Sequence, residues 1–115
     1  MFAIEPQVKT LRCCLAALEK TDLTPKQADI LAKVDLNIAH LLTHWASMRT
    51  AAETDDMLHH SLNNAITPLV GYVSALRKGM AGPLDDTQRT QIHLMSEAIA
   101  TLRSEIKRLR NIAAT

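Results

Sequence analysis

Aromatic residues are nearly missing from this chain: Phe2, Trp45 and Tyr72 are the only three in 115 residues. β-Sandwiches and barrels lean on aromatic and β-branched side chains, so the scarcity argues against them. It favours a core of Leu, Ile, Val, Met and Ala packed helix on helix. Glycine (three) and proline (four) are scarce too, which leaves few places for the chain to turn. Neither sign of charge dominates. With 13 Lys+Arg against 12 Asp+Glu the net charge is +1, which excludes a nucleic-acid binder driven by phosphate attraction. No apolar run approaches the roughly 18 residues that mark a membrane span, so no membrane partner is expected. The N-terminal MFAIEPQVK carries charge too early for a signal peptide, and a cytoplasmic chain is the expectation. Cys13 and Cys14 are the only cysteines and are adjacent. Neighbouring cysteines rarely bridge each other, so they read as reduced helix residues, with a redox or metal role as the alternative.

The residues that are abundant form helices. The length suits one helical domain, 1–115, and four amphipathic stretches can be read along it. The first runs from about Ala3 to Lys20, with Ile4, Val8, Leu11, Leu15 and Leu18 on one stripe. After the turn Thr21-Asp22-Leu23, Thr24 reads as a helix cap, Pro25 as the first helical residue and Gln27 as the partner in a capping box. The second stretch carries Leu31, Val34, Ile38, Leu41, Trp45 and Met48, alternating by three and four. The third reaches Lys78 with Leu62, Ile66, Leu69, Val73 and Leu76. Gly79 to Pro83 is the clearest break. The fourth begins near Asp85, carries Ile92, Met95, Ile99, Leu102, Ile106 and Leu109, and has Asn111 as a C-terminal stop. Trp45 and the methionines are expected in the core.

The second and fourth stretches repeat each other at an offset of 61 residues. Leu23, Gln27, Ile38, Ala39, Leu41 and Arg49 recur as Leu84, Gln88, Ile99, Ala100, Leu102 and Arg110, and every stripe position coincides. The chain therefore reads as two helical hairpins, 1–49 and 50–115, that duplicate one plan. The joint is open to two readings. Thr50-Ala51-Ala52-Glu53 has capping-box spacing and Thr54-Asp55-Asp56 offers another start, which favours a break at 50–55. Against that, no glycine or proline interrupts Trp45 to Leu62 and the apolar register continues in phase, so one long helix is the alternative. A break lets four helices run up, down, up, down in one chain; a continuous helix would leave apolar faces for a homodimer to cover.

The segment with chemical content is His60-Ser61-Leu62-Asn63-Asn64-Ala65-Ile66-Thr67-Pro68-Leu69-Val70-Gly71-Tyr72. It resembles the phosphoacceptor box of sensor histidine kinases, in the variant His-Asp-Leu/Phe-Asn-Asn-x-Leu-Thr-Pro-x-x-Gly-Tyr. The likeness continues through the Gly-rich turn, Leu84-Asp85-Asp86-Thr87-Gln88-Arg89 and a second helix, covering about residues 57–111. The family is the dimerisation and histidine-phosphotransfer (DHp, HisKA-like) domain. The first hairpin resembles the same unit without the box, with Phe2 opposite His60.

The resemblance implies an all-α fold of antiparallel hairpins forming a four-helix bundle, within one chain or by dimerisation. It implies His60 as phosphoacceptor, Asn64 as the residue that orients water for dephosphorylation, and Asn63 as its polar companion. An imidazole nitrogen is a good nucleophile toward phosphorus, and the phosphoramidate formed can pass its group to a receiver aspartate. Pro68 removes a backbone donor just past the reactive turn. Ser61 departs from the family, which places Asp or Glu there as the activating base; a serine hydroxyl is no base at neutral pH. No nucleotide loop or metal box appears, and no cofactor or metal is implied. The expectation is a chain that is not a self-sufficient kinase and takes its phosphoryl group from a partner kinase or a receiver domain.

Each residue also has a plainer reading. His60 could be an ordinary exposed helix histidine on an inert docking scaffold or in an unrelated bundle. His59 lies off the motif and bounds the stripe. His40 and His44 share a face, but without the glutamate of a zinc-protease box or a third ligand they read as surface histidines. Arg103, Lys107, Arg108 and Arg110 form a solvated basic face, or, with Ser61, a surface for an acidic receiver. The functions in competition are phosphotransfer through His60 and a non-catalytic adaptor or inhibitor that docks on a histidine kinase or response regulator.

Overall fold

The computed structural model describes the backbone of residues 4–49 and 55–114 and the side chains of 4–46 and 60–108. Four helices account for almost all of it: α1 (Ile4–Glu19), α2 (Pro25–Arg49), α3 (Asp55–Arg77) and α4 (Asp86–Ala114). No strand occurs among the described residues. The helices form an antiparallel four-helix bundle, up, down, up, down within one chain, with α4 closing against α1. α2 lies alongside α3, so the chain reverses between Arg49 and Asp55. The capping residues suggested at 50–54 lie outside the described residues, as do the side chains of Phe2, Met48, His59, Leu109 and Arg110.

The stripes meet in one core. Ile4, Leu11 and Leu18 of α1, Val34, Ile38 and Leu41 of α2, Leu62, Ile66 and Leu69 of α3, and Ile92, Met95 and Leu102 of α4 are all nearly or fully inaccessible to solvent. Trp45 is only half-buried and packs on the edge of this cluster. Met95 is a core residue, but Met80 is 71% exposed because it sits in the turn beyond α3, off any stripe. Asn111 does not stop α4, which continues to Ala114; the alanines that follow are strong helix formers and no glycine supplies a left-handed cap.

The two hairpins agree in detail. Each buried residue of α2 (Gln27, Leu31, Val34, Ile38, Leu41) has a buried counterpart 61 residues on (Gln88, Ile92, Met95, Ile99, Leu102). In α1 and α3 the register is 58, as from Leu18 to Leu76. The second turn is therefore three residues longer. Those residues accommodate a Schellman end to α3: Gly79 takes φ 77°, and the N–H groups of Gly79 and Met80 donate to Leu76 O and Ala75 O.

The two turns grip each other at one end of the bundle. Thr24 and Gln27 form a reciprocal capping box: Gln27 N donates to Thr24 Oγ1 at 3.1 Å and Thr24 N to Gln27 Oε1 at 2.9 Å. Asp85 and Gln88 repeat it at 2.7 and 2.9 Å. Each glutamine then reaches across with its amide nitrogen. Gln27 Nε2 donates to Gly82 O and Pro83 O, and Gln88 Nε2 to Thr21 Oγ1 and Asp22 O. Counted back from the caps these acceptors are the same two positions, three and two residues before Asp85 and before Thr24. The exchange is a pseudo-twofold one. Both glutamines are buried and every polar atom of their amides has a role, which is what makes a buried carboxamide tolerable.

Candidate functional site

α3 carries the box. His60 is exposed on its second turn, about 25–30 Å from the Gly79–Pro83 turn at a helical rise of 1.5 Å per residue. Leu62, Ala65, Ile66 and Leu69 point into the core, which leaves His60, Asn63, Asn64 and Thr67 as an exposed ridge between α2 and α4. The backbone stays helical through Pro68. Proline has no N–H to give Asn64 O, so the ladder is interrupted one turn after His60. Thr67 Oγ1 donates to Asn63 O at 2.8 Å, which ties the next carbonyl in line.

The two sides of the ridge differ. Toward α4, Asn63, Thr67 and Val70 border a recess of about 160 Å³ closed by Arg103. Arg103 also ends a groove of about 210 Å³ whose floor is Val70, Val73, Ile99 and Ala100 and whose other end is Arg77. Arg77, Arg103 and Lys107 are exposed and make no ion pair among the described residues. Arg108, by contrast, pairs with Glu105 at 3.1 Å. The sequence reading put Arg103 and Lys107 on a basic face; the structure places Arg103 beside the box, with Lys107 one turn farther along α4 in the direction of His60.

Toward α2, half-buried Ser61 faces a groove of about 270 Å³ shared with Asn64, Ala65, Asn37, His40 and His44. The reading of His40 and His44 as plain surface residues is thus incomplete. His40 is exposed, but His44 is half-buried and both line this groove. Sequence reasoning had the signal, two histidines on one helical face, but not the α2–α3 register that sets them across from Ser61. Among the described residues no group of three His, Cys, Asp or Glu side chains could hold a metal. No helix of the described residues is long and apolar enough to cross a membrane.

The pseudo-twofold supplies an internal comparison. In the α1–α2 half, Glu5, Pro6 and Lys9 stand where Asn63, Asn64 and Thr67 stand, and Glu19, Asp35 and Leu42 stand where Arg77, Ser96 and Arg103 stand. α1 also meets α2 far more sparsely than α3 meets α4. Among the described residues the polar ridge and the arginine-ended groove therefore belong to the α3–α4 half. Comparison of the chain with protein-family models, curated proteins and solved structures finds no match.

Proposed function

We propose that the chain is a phosphotransfer protein of two-component signalling, exchanging a phosphoryl group between His60 and a partner kinase or receiver domain. The observation that carries this reading is the exposed ridge of His60, Asn63 and Asn64, set on a rigid helix of a bundle that is complete within one chain. In the transfer, a ring nitrogen of His60 attacks the phosphorus of an aspartyl phosphate. The N–P bond forms, the P–O bond to the acyl group breaks, the aspartate leaves as a carboxylate, and a ring proton goes to solvent. No base at Ser61 is needed for this step, because carboxylate is a good leaving group and the neutral imidazole attacks with its own lone pair. Asn64, four residues on and on the same face, stands where it can orient water toward the group. The groove between Arg77 and Arg103 suits an acidic partner surface with apolar residues between its charges.

The test is incubation with phosphorylated receivers and kinases. Acid-labile label is expected on His60 and is lost in His60→Ala. No label from any donor would sink the reading. A second reading, a non-catalytic adaptor or inhibitor, is favoured by Ser61 and by the same groove, which can dock a partner without transfer. It predicts binding that survives His60→Ala and weakens when Arg77 and Arg103 are reversed in charge.

A further inference from the structure

Beside the box, the groove between α2 and α3 collects polar side chains with nothing to bind. Among the described residues His40, His44, Ser61 and Asn64 make no side-chain hydrogen bond or ion pair. Asn37 gives one amide proton to Lys33 O at 2.8 Å and keeps the other. Among the described residues no carboxylate lines the groove. Four unpartnered groups and a half-used fifth thus converge from two helices on about 270 Å³, next to the residue after His60.

We propose that this groove binds a phosphoryl oxyanion, either free or carried on His60. The groups present can all donate: imidazole N–H from His40 and His44, hydroxyl from Ser61, amide N–H from Asn37 and Asn64. Donors spaced four apart on α2 lie on one face, so they approach a tetrahedral anion from one side while α3 approaches from the other. A metal ion fits this set less well, since two imidazoles would be completed only by amides and a hydroxyl. The other half of the molecule lacks the arrangement. Ala98, Thr101 and Glu105 replace Asn37, His40 and His44, and a glutamate would repel the ligand. The proposal leans on the phosphotransfer reading only for the second source of the anion; binding of free phosphate stands without it.

The experiment follows the histidine ring signals of the full chain by NMR, in EDTA-treated buffer, during titration with inorganic phosphate at constant ionic strength. His40 and His44 are expected to shift together and saturably, while His93, on the outside of α4 beside Glu97, stays still. In the double variant His40→Ala, His44→Ala, which removes two donors, affinity should fall at least about tenfold, since each hydrogen bond lost to the anion is worth roughly that factor, with unchanged circular dichroism. A second arm phosphorylates His60 from a labelled partner and reads the same signals without free phosphate. Shifts at His40 and His44 in that arm alone assign the groove to the carried group; shifts in both arms assign it to either source. Shifts that rise linearly or appear equally at His93, or none in either arm, overturn the proposal. Saturable phosphate binding without any label on His60 would remove the transfer reading and leave the groove; label without binding would do the reverse.

Discussion

The two ends of the bundle follow different rules. At the turn end the hairpins share one hydrogen-bonding plan. Thr24 answers Asp85, Gln27 answers Gln88, and each glutamine holds the other hairpin's turn. At the histidine end the match fails: an asparagine ridge stands where the other half has a Glu-Pro pair, and Arg103 stands where it has Leu42. What is shared is what folding needs, a cap and a partner for every buried polar atom. What is unshared is exposed and does nothing for the core. Under the proposed phosphotransfer, a duplicated plan with one decorated half would take one partner where a symmetric dimer would take two.

The largest effect should separate the ends outright. His60→Ala is expected to abolish phosphoryl label while leaving stability within about 0.5 kcal/mol, because an exposed helix position is being changed. Labelling and urea unfolding read the two quantities. A variant that loses both label and stability would mean that the histidine end is also structural.

The turn end should show the inverse. Gln27→Leu removes the partner of Thr24 N and the donor to Gly82 O and Pro83 O, all at the packed junction. Gln88→Leu removes the partner of Asp85 N and the donor to Thr21 and Asp22. Leaving such groups unsatisfied costs roughly 2–3 kcal/mol. Pseudo-symmetry requires the two losses to agree within about 1 kcal/mol in chemical unfolding, with label on His60 retained. A loss confined to one glutamine would break the equivalence of the turns.

Gly82 tests a place where the turns are not alike. It adopts φ 123°, and a Cβ there would meet Thr24 Cγ2 at 3.2 Å. Gly82→Ala should cost about 2 kcal/mol from backbone strain and this contact. Thr21, the counterpart counted from the cap, carries a side chain without such a conflict.

Much of the turn end was legible in the sequence. Thr24-Pro25-Lys26-Gln27 announces a helix start, Gly79 to Pro83 announces a stop, and the stripes give the core because period and burial coincide in helices. The cross-turn reach of Gln27 and Gln88 was not legible, since a capping box explains each glutamine locally and nothing local points to a second job. Asn111 and Met80 misled for a related reason: residue type was weighed without the helix length or turn position that decides exposure. At the site, the box places His60 on a helix, but which residues flank it depends on the α2–α3 and α3–α4 registers. Those follow from how the helices pair in the bundle and from the longer second turn, and no stripe fixes them.

A smaller effect is expected in the arginine-ended groove. Arg103→Glu should weaken a phosphorylated partner about tenfold and make the remaining binding less sensitive to salt. Asp35→Lys, at the α2 position that answers Ser96, should change it less than about twofold. Equal effects would show that the partner does not distinguish the halves.

The smallest effect uses the cysteines of the undecorated half, which stand where α3 has Gly71 and Tyr72. Cys13 is exposed and Cys14 is buried; burial, with the neighbouring Cys13 adding to it, pushes the Cys14 thiol above its ordinary value of 9.0. The thiolate is the reactive form, so at pH 8 Cys13 should alkylate while Cys14 stays nearly inert. Raising the pH toward and past 9.0 should speed Cys14 in proportion to its thiolate, but only as fast as α1 opens. Its rate therefore reports how readily α1 opens from the bundle. Gln88→Leu, which frees the Thr21–Asp22 turn at the end of α1, should accelerate Cys14 alkylation more than His60→Ala does, as mass spectrometry of the two sites can measure. Equal acceleration by both variants would mean that the histidine end and the turn end open as one unit.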